Sequence, residues 1–201
     1  MRVVVIGGTF NPVHIGHLYL ADEVRQSCRY DLVLFIPSNI PAHKEPAEET
    51  TSTERIDMLE AALRPHGFFA IDRCEIDRGG ISYTIETVRE LKQRYDLTGK
   101  LGFVIGDDLI EGFGHWKEAT ALAEEVDLIV AHRTDESRKP FGFRHRYLDN
   151  LLLPVSSSDI RRRIMEGRAV QFLLPPPVWR YVVQGGLYRA GRRRNEEAHR
   201  R

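Results

Sequence analysis

The chain has 201 residues, 42% hydrophobic and 29% charged, which suits one soluble domain with a proper core and is too short for two comfortable ones. Its 29 basic residues balance its 29 acidic ones, so no overall field draws it to nucleic acid, and no membrane partner is expected. Cys28 and Cys74 show neither CxxC nor zinc-ligand spacing, and no signal peptide, lipidation motif or apolar run of about eighteen residues appears, which points to a reducing cytoplasm.

In chain order, residues 2–6 form a β-branched run that reads as a buried first strand. It hands over through Gly7-Gly8-Thr9-Phe10-Asn11-Pro12-Val13 to His14-Ile15-Gly16-His17, where a helical pattern of Ile15, Leu18, Ala21, Val24 and Cys28 begins. A helix start at a strand's carboxyl end offers unpaired N–H groups and partial positive charge, both suited to phosphate. The two histidines, three apart, share one face of the first turn. Solvated histidines and merely turn-forming glycines do not explain why all of these features coincide at a strand exit.

A second strand over 32–36 ends at Pro37 and opens a proline-rich loop carrying Asn39, His43 and Lys44, read as a mobile phosphate clamp. Thr51 and Glu54 make a capping box for a helix with Ile56, Leu59 and Leu63 on one face. Residues 68–76 read as a third strand. Gly79-Gly80 then breaks the chain before a helix opened by Gly80-Ile81-Ser82-Tyr83-Thr84 and carrying Ile85, Val88, Leu91 and Tyr95. That start suits either a plain N-cap or a substrate carboxylate. The fourth strand, 101–105, delivers Gly106-Asp107-Asp108, where acidic groups can hold ribose hydroxyls. Trp116 is either core or a face for a planar ring.

A short helix over 116–124, a fifth strand over 127–131, a polar excursion over 134–149 and a short strand over 151–155 follow. Ser156-Ser157-Ser158-Asp159 is an N-cap cluster with Arg161 one turn in, better placed for an anion than Arg162 or Arg163. The last helix spans about 177–183. The alternation predicts an α/β fold: a single-domain, Rossmann-like parallel sheet with helices on both faces and ligands at its carboxyl edge. The domain is expected over 1–189, followed by a basic, disordered tail over 190–201 that contains Arg192-Arg193-Arg194 and Arg200-Arg201.

The HxGH string His14-Ile15-Gly16-His17 behind Gly7-Gly8-Thr9-Phe10-Asn11-Pro12 resembles the signature of the nucleotidyltransferase superfamily. With residues 37–44, Gly80 to Thr87, Gly106-Asp107-Asp108 ahead of Trp116, and Ser156 to Arg161, the chain up to about Tyr188 resembles bacterial nicotinate-nucleotide adenylyltransferases. The resemblance implies transfer of an adenylyl group from ATP, carrying its Mg²⁺, to nicotinate mononucleotide, giving deamido-NAD and pyrophosphate. It assigns catalysis to His14, His17, Lys44 and Arg161. ATP binding falls to Gly7, Gly8, Thr9, Phe10, Gly106, Asp108, Ser157 and Ser158 together with those histidines and Arg161. The acceptor falls to Asn39, Lys44, Tyr83, Thr84, Trp116 and Arg133. Lys117 departs from the aromatic residue that many relatives carry beside the tryptophan.

No protein nucleophile is required, because the mononucleotide phosphate itself attacks the α-phosphorus in line; positioning and charge stabilisation remain for the protein. Another acceptor, nicotinamide mononucleotide or phosphopantetheine, is the alternative within the superfamily. A non-redox dinucleotide-binding module is a further one, disfavoured because no GxGxxG follows a strand, and no Walker A string is present either. His14, His17 and His43 lack HExxH spacing and an acidic partner, against a zinc hydrolase. The sequence leaves the oligomeric state open, a homo-oligomer included.

Overall fold

Side chains alternate across a strand, and here both sets are apolar, so each strand must be covered on both faces. Val4, Ile6, Val33, Phe35, Val104 and Ile129 enter one core; Val3, Val5, Leu34, Ile36, Ile105 and Leu128 enter the other. The computed structural model describes residues 1–41, 50–133 and 140–189. Lys44, His43 and the tail over 190–201 therefore lie outside the described residues.

The elements are β1 (Val3–Gly8), α1 (Ile15–Cys28), β2 (Leu32–Pro37), β3 (Ile40–Pro41), α2 (Ser52–Leu63), β4 (Phe69–Ile71), α3 (Cys74–Arg78), β5 (Ile81–Ser82), α4 (Thr84–Arg94), β6 (Leu101–Gly106), α5 (Ala119–Glu125), β7 (Val126–Ala131), β8 (Arg146–Tyr147), α6 (Ser157–Met165) and α7 (Pro176–Gln184). The main sheet runs β4-β2-β1-β6-β7-β8 with every pair parallel. Ala21 and Val24 of α1, Met58 and Leu59 of α2, and Val178 and Val182 of α7 pack the first core. Ile85, Val88 and Leu91 of α4 and Leu122 of α5 pack the second. Each Val, Leu, Ile or Met among these that is withdrawn from water contributes about 1.5–3 kcal/mol before entropy is counted. The expected α/β parallel sheet with helices on both faces is the observed one. Strand order reverses between β1 and β6, which opens a crevice at their carboxyl ends. Among the described residues no helix is long and apolar enough to cross a membrane.

Several expected elements change in detail. The strand expected over 68–76 stops at Ile71, because the Asp72 carboxylate accepts the Cys74 N–H at 2.9 Å and turns the chain into α3. Residues 80–82 do not begin a helix: β5 pairs with β3 in a separate two-stranded sheet, and α4 starts at Thr84 with Tyr83 as N-cap. The helix expected over 116–124 is a 3₁₀ turn at Phe113–His115, then α5, the two separated by Glu118 in the left-handed region (φ 52°). The described part of the expected polar excursion holds β8 and the rings of Phe141, Phe143, His145 and Tyr147, packed edge-on or tilted against one another from Phe113 outward. Residues 151–155 form no ladder. Their main chain is held from the side instead, the Leu151 N–H donating to the Tyr19 hydroxyl at 2.7 Å. Ile15, expected on the buried stripe of α1, is instead 37% exposed.

Candidate active site

The crevice is a cleft of about 650 Å³ walled by the ends of β1, β2, β6 and β7 and by the starts of α1, α4 and α6. Gly7, Gly8, Thr9, Phe10, His14, His17, Thr84, Gly106, Trp116, Arg133, Ser157, Ser158 and Arg161 all line it. A volume of this order accommodates a nucleotide and part of a second substrate.

His14 is the N-cap of α1, and the two imidazoles stack with ring centroids 3.7 Å apart. His17 Nδ1 accepts the His14 backbone N–H at 3.2 Å, which places the ring proton of neutral His17 on Nε2. Phe10, buried and in the left-handed region (φ 49°), sets its ring edge-on to His17 at 5.0 Å and fixes it from below. Gly16 is a steric requirement: a Cβ there would lie 2.8 Å from Val155 Cγ1 and 3.1 Å from His14 Nδ1. Burial, then the Arg133 cation, pushes His14 down to about 3. Burial, then His14 and Arg133, holds His17 well below the ordinary histidine value. The free site therefore presents neutral imidazoles at neutral pH.

The His14 shift has a consequence for stability. An unfolded histidine protonates near 6.5, whereas His14 in the fold waits until about 3, so the unfolded chain binds the extra proton between those values. Stability attributable to this group is present above 6.5 and is lost as pH falls toward 3. Chemical denaturation across that range is expected to show a shallower decline for His14→Gln than for the unmodified chain; parallel curves would contradict the buried neutral ring.

The start of α6 is tied to the turn before α1. Arg161 donates from NH1 to the Asn11 carbonyl at 2.8 Å, and Ser157 donates to the Pro12 carbonyl at 2.9 Å. Ser156 caps α6 by accepting the Asp159 N–H at 3.1 Å. Arg162 pairs with Asp159, and Arg163 turns to the Ala169 carbonyl, which leaves Arg161 as the member of that run on the cleft wall. Trp116 leans on Phe113 (5.1 Å, 37°) and is half-buried; it lines the cleft, as does Thr84 at the head of α4.

Three expected contacts are placed elsewhere. Asn39 does not line the cleft; its Nδ2 donates to the Gly80 carbonyl at 2.9 Å and its N–H to Ser82 Oγ at 3.1 Å, clamping β3 to β5. Tyr83 also stands off the wall, its ring 4.4 Å from the Lys117 ammonium, which bonds Glu86 as well. Lys117 thus covers the Tyr83 ring. Asp108 turns to Arg133, with 3.6 Å between Oδ2 and NH1, a partly exposed pair worth little by itself.

Other residues were given no role by the sequence reading. Arg55 is 5% exposed and donates from NH1 to both the Thr9 carbonyl (2.9 Å) and the Ser38 carbonyl (2.8 Å), pinning the loops after β1 and β2 together. Its signal was an arginine in helical register with the buried residues Met58, Leu59 and Ala62. Asn11 Oδ1 accepts from the hydroxyls of Thr50 (2.8 Å) and Tyr188 (2.6 Å). Glu75, at the cleft wall, accepts from Thr87, whose hydroxyl in turn accepts from Arg78. These partners come from distant parts of the chain, and no local pattern marks them.

Comparison with known proteins matches residues 5–163 to the cytidylyltransferase-like family. A protein of Borrelia garinii subsp. bavariensis named "Probable nicotinate-nucleotide adenylyltransferase" is 45% identical over 188 residues, covering 94% of this chain and 95% of its own. The chain belongs to this family. A Treponema pallidum protein of the same name is 36% identical over 204 residues, covering 94% of this chain and all of its own. In fold, the Plasmodium falciparum nicotinic acid mononucleotide adenylyltransferase complexed with APC superimposes with a TM-score of 0.72 over 93% of this chain and 96% of that one, at 18% identity.

Proposed function

We propose that this chain transfers the adenylyl group of ATP to nicotinate mononucleotide, forming deamido-NAD and pyrophosphate. The observation that carries the reading is the stacked His14–His17 pair at the start of α1, opening into a cleft that the starts of α4 and α6 also reach. Three helix starts converge on one site, as three groups of oxygens on two substrates require. ATP enters with its Mg²⁺, which supplies charge neutralisation on the phosphates. The ion is read as travelling with the nucleotide.

A phosphate oxygen of the mononucleotide attacks the α-phosphorus, a new P–O bond forms, and the bond from the α-phosphorus to the bridging oxygen breaks as pyrophosphate departs. His17 donates from Nε2 to the oxygens that gain charge, while His14 supports the ring by stacking. Arg161 supplies charge beside the α6 start, and Lys44 is assigned to the same phosphates. Thr84 and the α4 start receive the nicotinate carboxylate, with Trp116 against the pyridine ring.

An anion at a helix start gains about 0.3–2 kcal/mol over a neutral group, and a charged hydrogen bond is worth about 1.5–3. The acid is therefore expected to be preferred over the amide by roughly 10–100-fold in kcat/KM. Pyrophosphate release from ATP with nicotinate mononucleotide, nicotinamide mononucleotide or phosphopantetheine tests this directly. Faster turnover with either of the other acceptors would overturn the assignment.

A further inference from the structure

His132 stands outside the roles assigned so far, and behind it the carboxylate of Asp107 is buried rather than open to a ribose. His132 follows β7 directly and lines the cleft. Its ring Nδ1 lies 2.9 Å from Oδ2 of Asp107, a residue only 6% exposed. The other carboxylate oxygen accepts the Arg133 N–H at 3.0 Å. Asn150 holds the main chain of His132 from both sides: the His132 N–H donates to Asn150 Oδ1 at 2.8 Å, and Asn150 Nδ2 donates to the His132 carbonyl at 2.8 Å. Backbone and ring are thus both fixed, an arrangement that a plain strand end does not need and that a binding group does. A carboxylate only accepts, so Nδ1 carries the proton in the neutral ring and Nε2 presents a lone pair. That nitrogen has no partner among the described residues.

Position narrows what Nε2 meets. The phosphate groups of the site gather at His14, His17 and the α6 start, and the acceptor side is marked by Thr84 and Trp116. His132 stands at the end of β7, where Leu151, Leu153 and Pro154 complete the wall with apolar surface. The part of ATP that belongs there is its nucleoside.

We propose that His132, oriented by Asp107, is a specificity-determining residue for that nucleoside, its Nε2 accepting a hydrogen bond from the purine 6-amino group or from a ribose hydroxyl. Asp107 acts through His132 as a positioning residue. The inference deepens the adenylyl-transfer reading and rests on ATP being the nucleotide bound.

Equilibrium binding, which needs no acceptor, separates the two ideas. The unmodified protein, in Mg²⁺, is expected to bind ATP about tenfold more tightly than the analogue lacking the donor. That analogue is ITP if the amino group is read, and 2′-deoxy- or 3′-deoxy-ATP if a hydroxyl is. In His132→Ala this gap closes to within about twofold, while the Kd for nicotinate mononucleotide is unchanged. For Asp107, histidine ¹⁵N spectra are the readout: His132 carries its proton on Nδ1 in the unmodified protein, and that preference weakens in Asp107→Asn, which retains the shape of the buried group. No discrimination among the analogues, a gap that survives His132→Ala, or a ring protonated on Nε2 would each overturn the proposal. Tight, discriminating ATP binding without pyrophosphate release on adding nicotinate mononucleotide would instead refute the proposed reaction and leave the nucleoside contact standing.

Discussion

Replacing His17 with alanine is expected to lower kcat by about 100–1,000-fold, the range seen when one preorganised donor to developing charge is removed. ATP affinity should fall far less, by about tenfold at most. The asymmetry follows from the geometry. His17 is fixed by its Nδ1 hydrogen bond to the His14 backbone, by stacking on His14, and by the edge of Phe10. Its Nε2–H therefore needs no reorganisation as charge builds on the phosphates. Burial and the neighbouring His14 and Arg133 keep the free ring neutral, so its contribution to holding the ground state is that of a neutral donor, which is modest. Asparagine at position 17 is expected to recover part of the rate, since a carboxamide still donates. Steady-state kinetics with independent measurement of the ATP Kd decides the matter: equal losses in kcat and affinity would contradict a role concentrated in the transition state.

Replacing Arg55 with alanine is expected to cost about 2–4 kcal/mol of stability, or roughly 5–15 °C in Tm for a chain of this size. Its guanidinium joins the Thr9 and Ser38 carbonyls and also donates to Ser52 Oγ at 3.2 Å, so truncation leaves buried acceptors without a partner. Burial lowers the pKa of Arg55, but from so high a value that the group stays charged. Lysine is expected to rescue little, because a single ammonium does not reproduce a planar fork bonded in two directions. Both loops that Arg55 holds reach the cleft wall, at Thr9 and Ser38, so KM for both substrates should rise together. Thermal melts and paired KM values test this; a Tm within about 2 °C of the unmodified protein would show that the loops are held by other contacts.

The placement of the histidine turn at the cleft was legible because its parts are local. A buried strand, a glycine turn and two histidines three apart fall within seventeen residues, and strand-to-helix geometry leaves them one arrangement. The Ser156 cap and the Thr51–Glu54 box were legible for the same reason and appear as caps of α6 and α2. What escaped depends on contacts across the chain. Asn39 reads as a loop residue free to meet phosphate, yet its amide is spent on Gly80, forty-one residues away. The segment over 151–155 has strand composition but no neighbouring strand to pair with, and the Tyr19 hydroxyl takes its first N–H. The aromatic residues spaced two apart from Phe141 to Tyr147 were hidden by the polar residues between them. Burial keeps both histidines neutral, a property that composition alone does not carry.

The most direct test of the account is a crystal structure of this chain with Mg²⁺ and a non-hydrolysable ATP analogue. Phosphate oxygens are expected within hydrogen-bond distance of His17 Nε2, about 2.7–3.2 Å, with the triphosphate lying between the starts of α1 and α6. A nucleotide bound elsewhere, with both rings facing only protein or solvent, would contradict it.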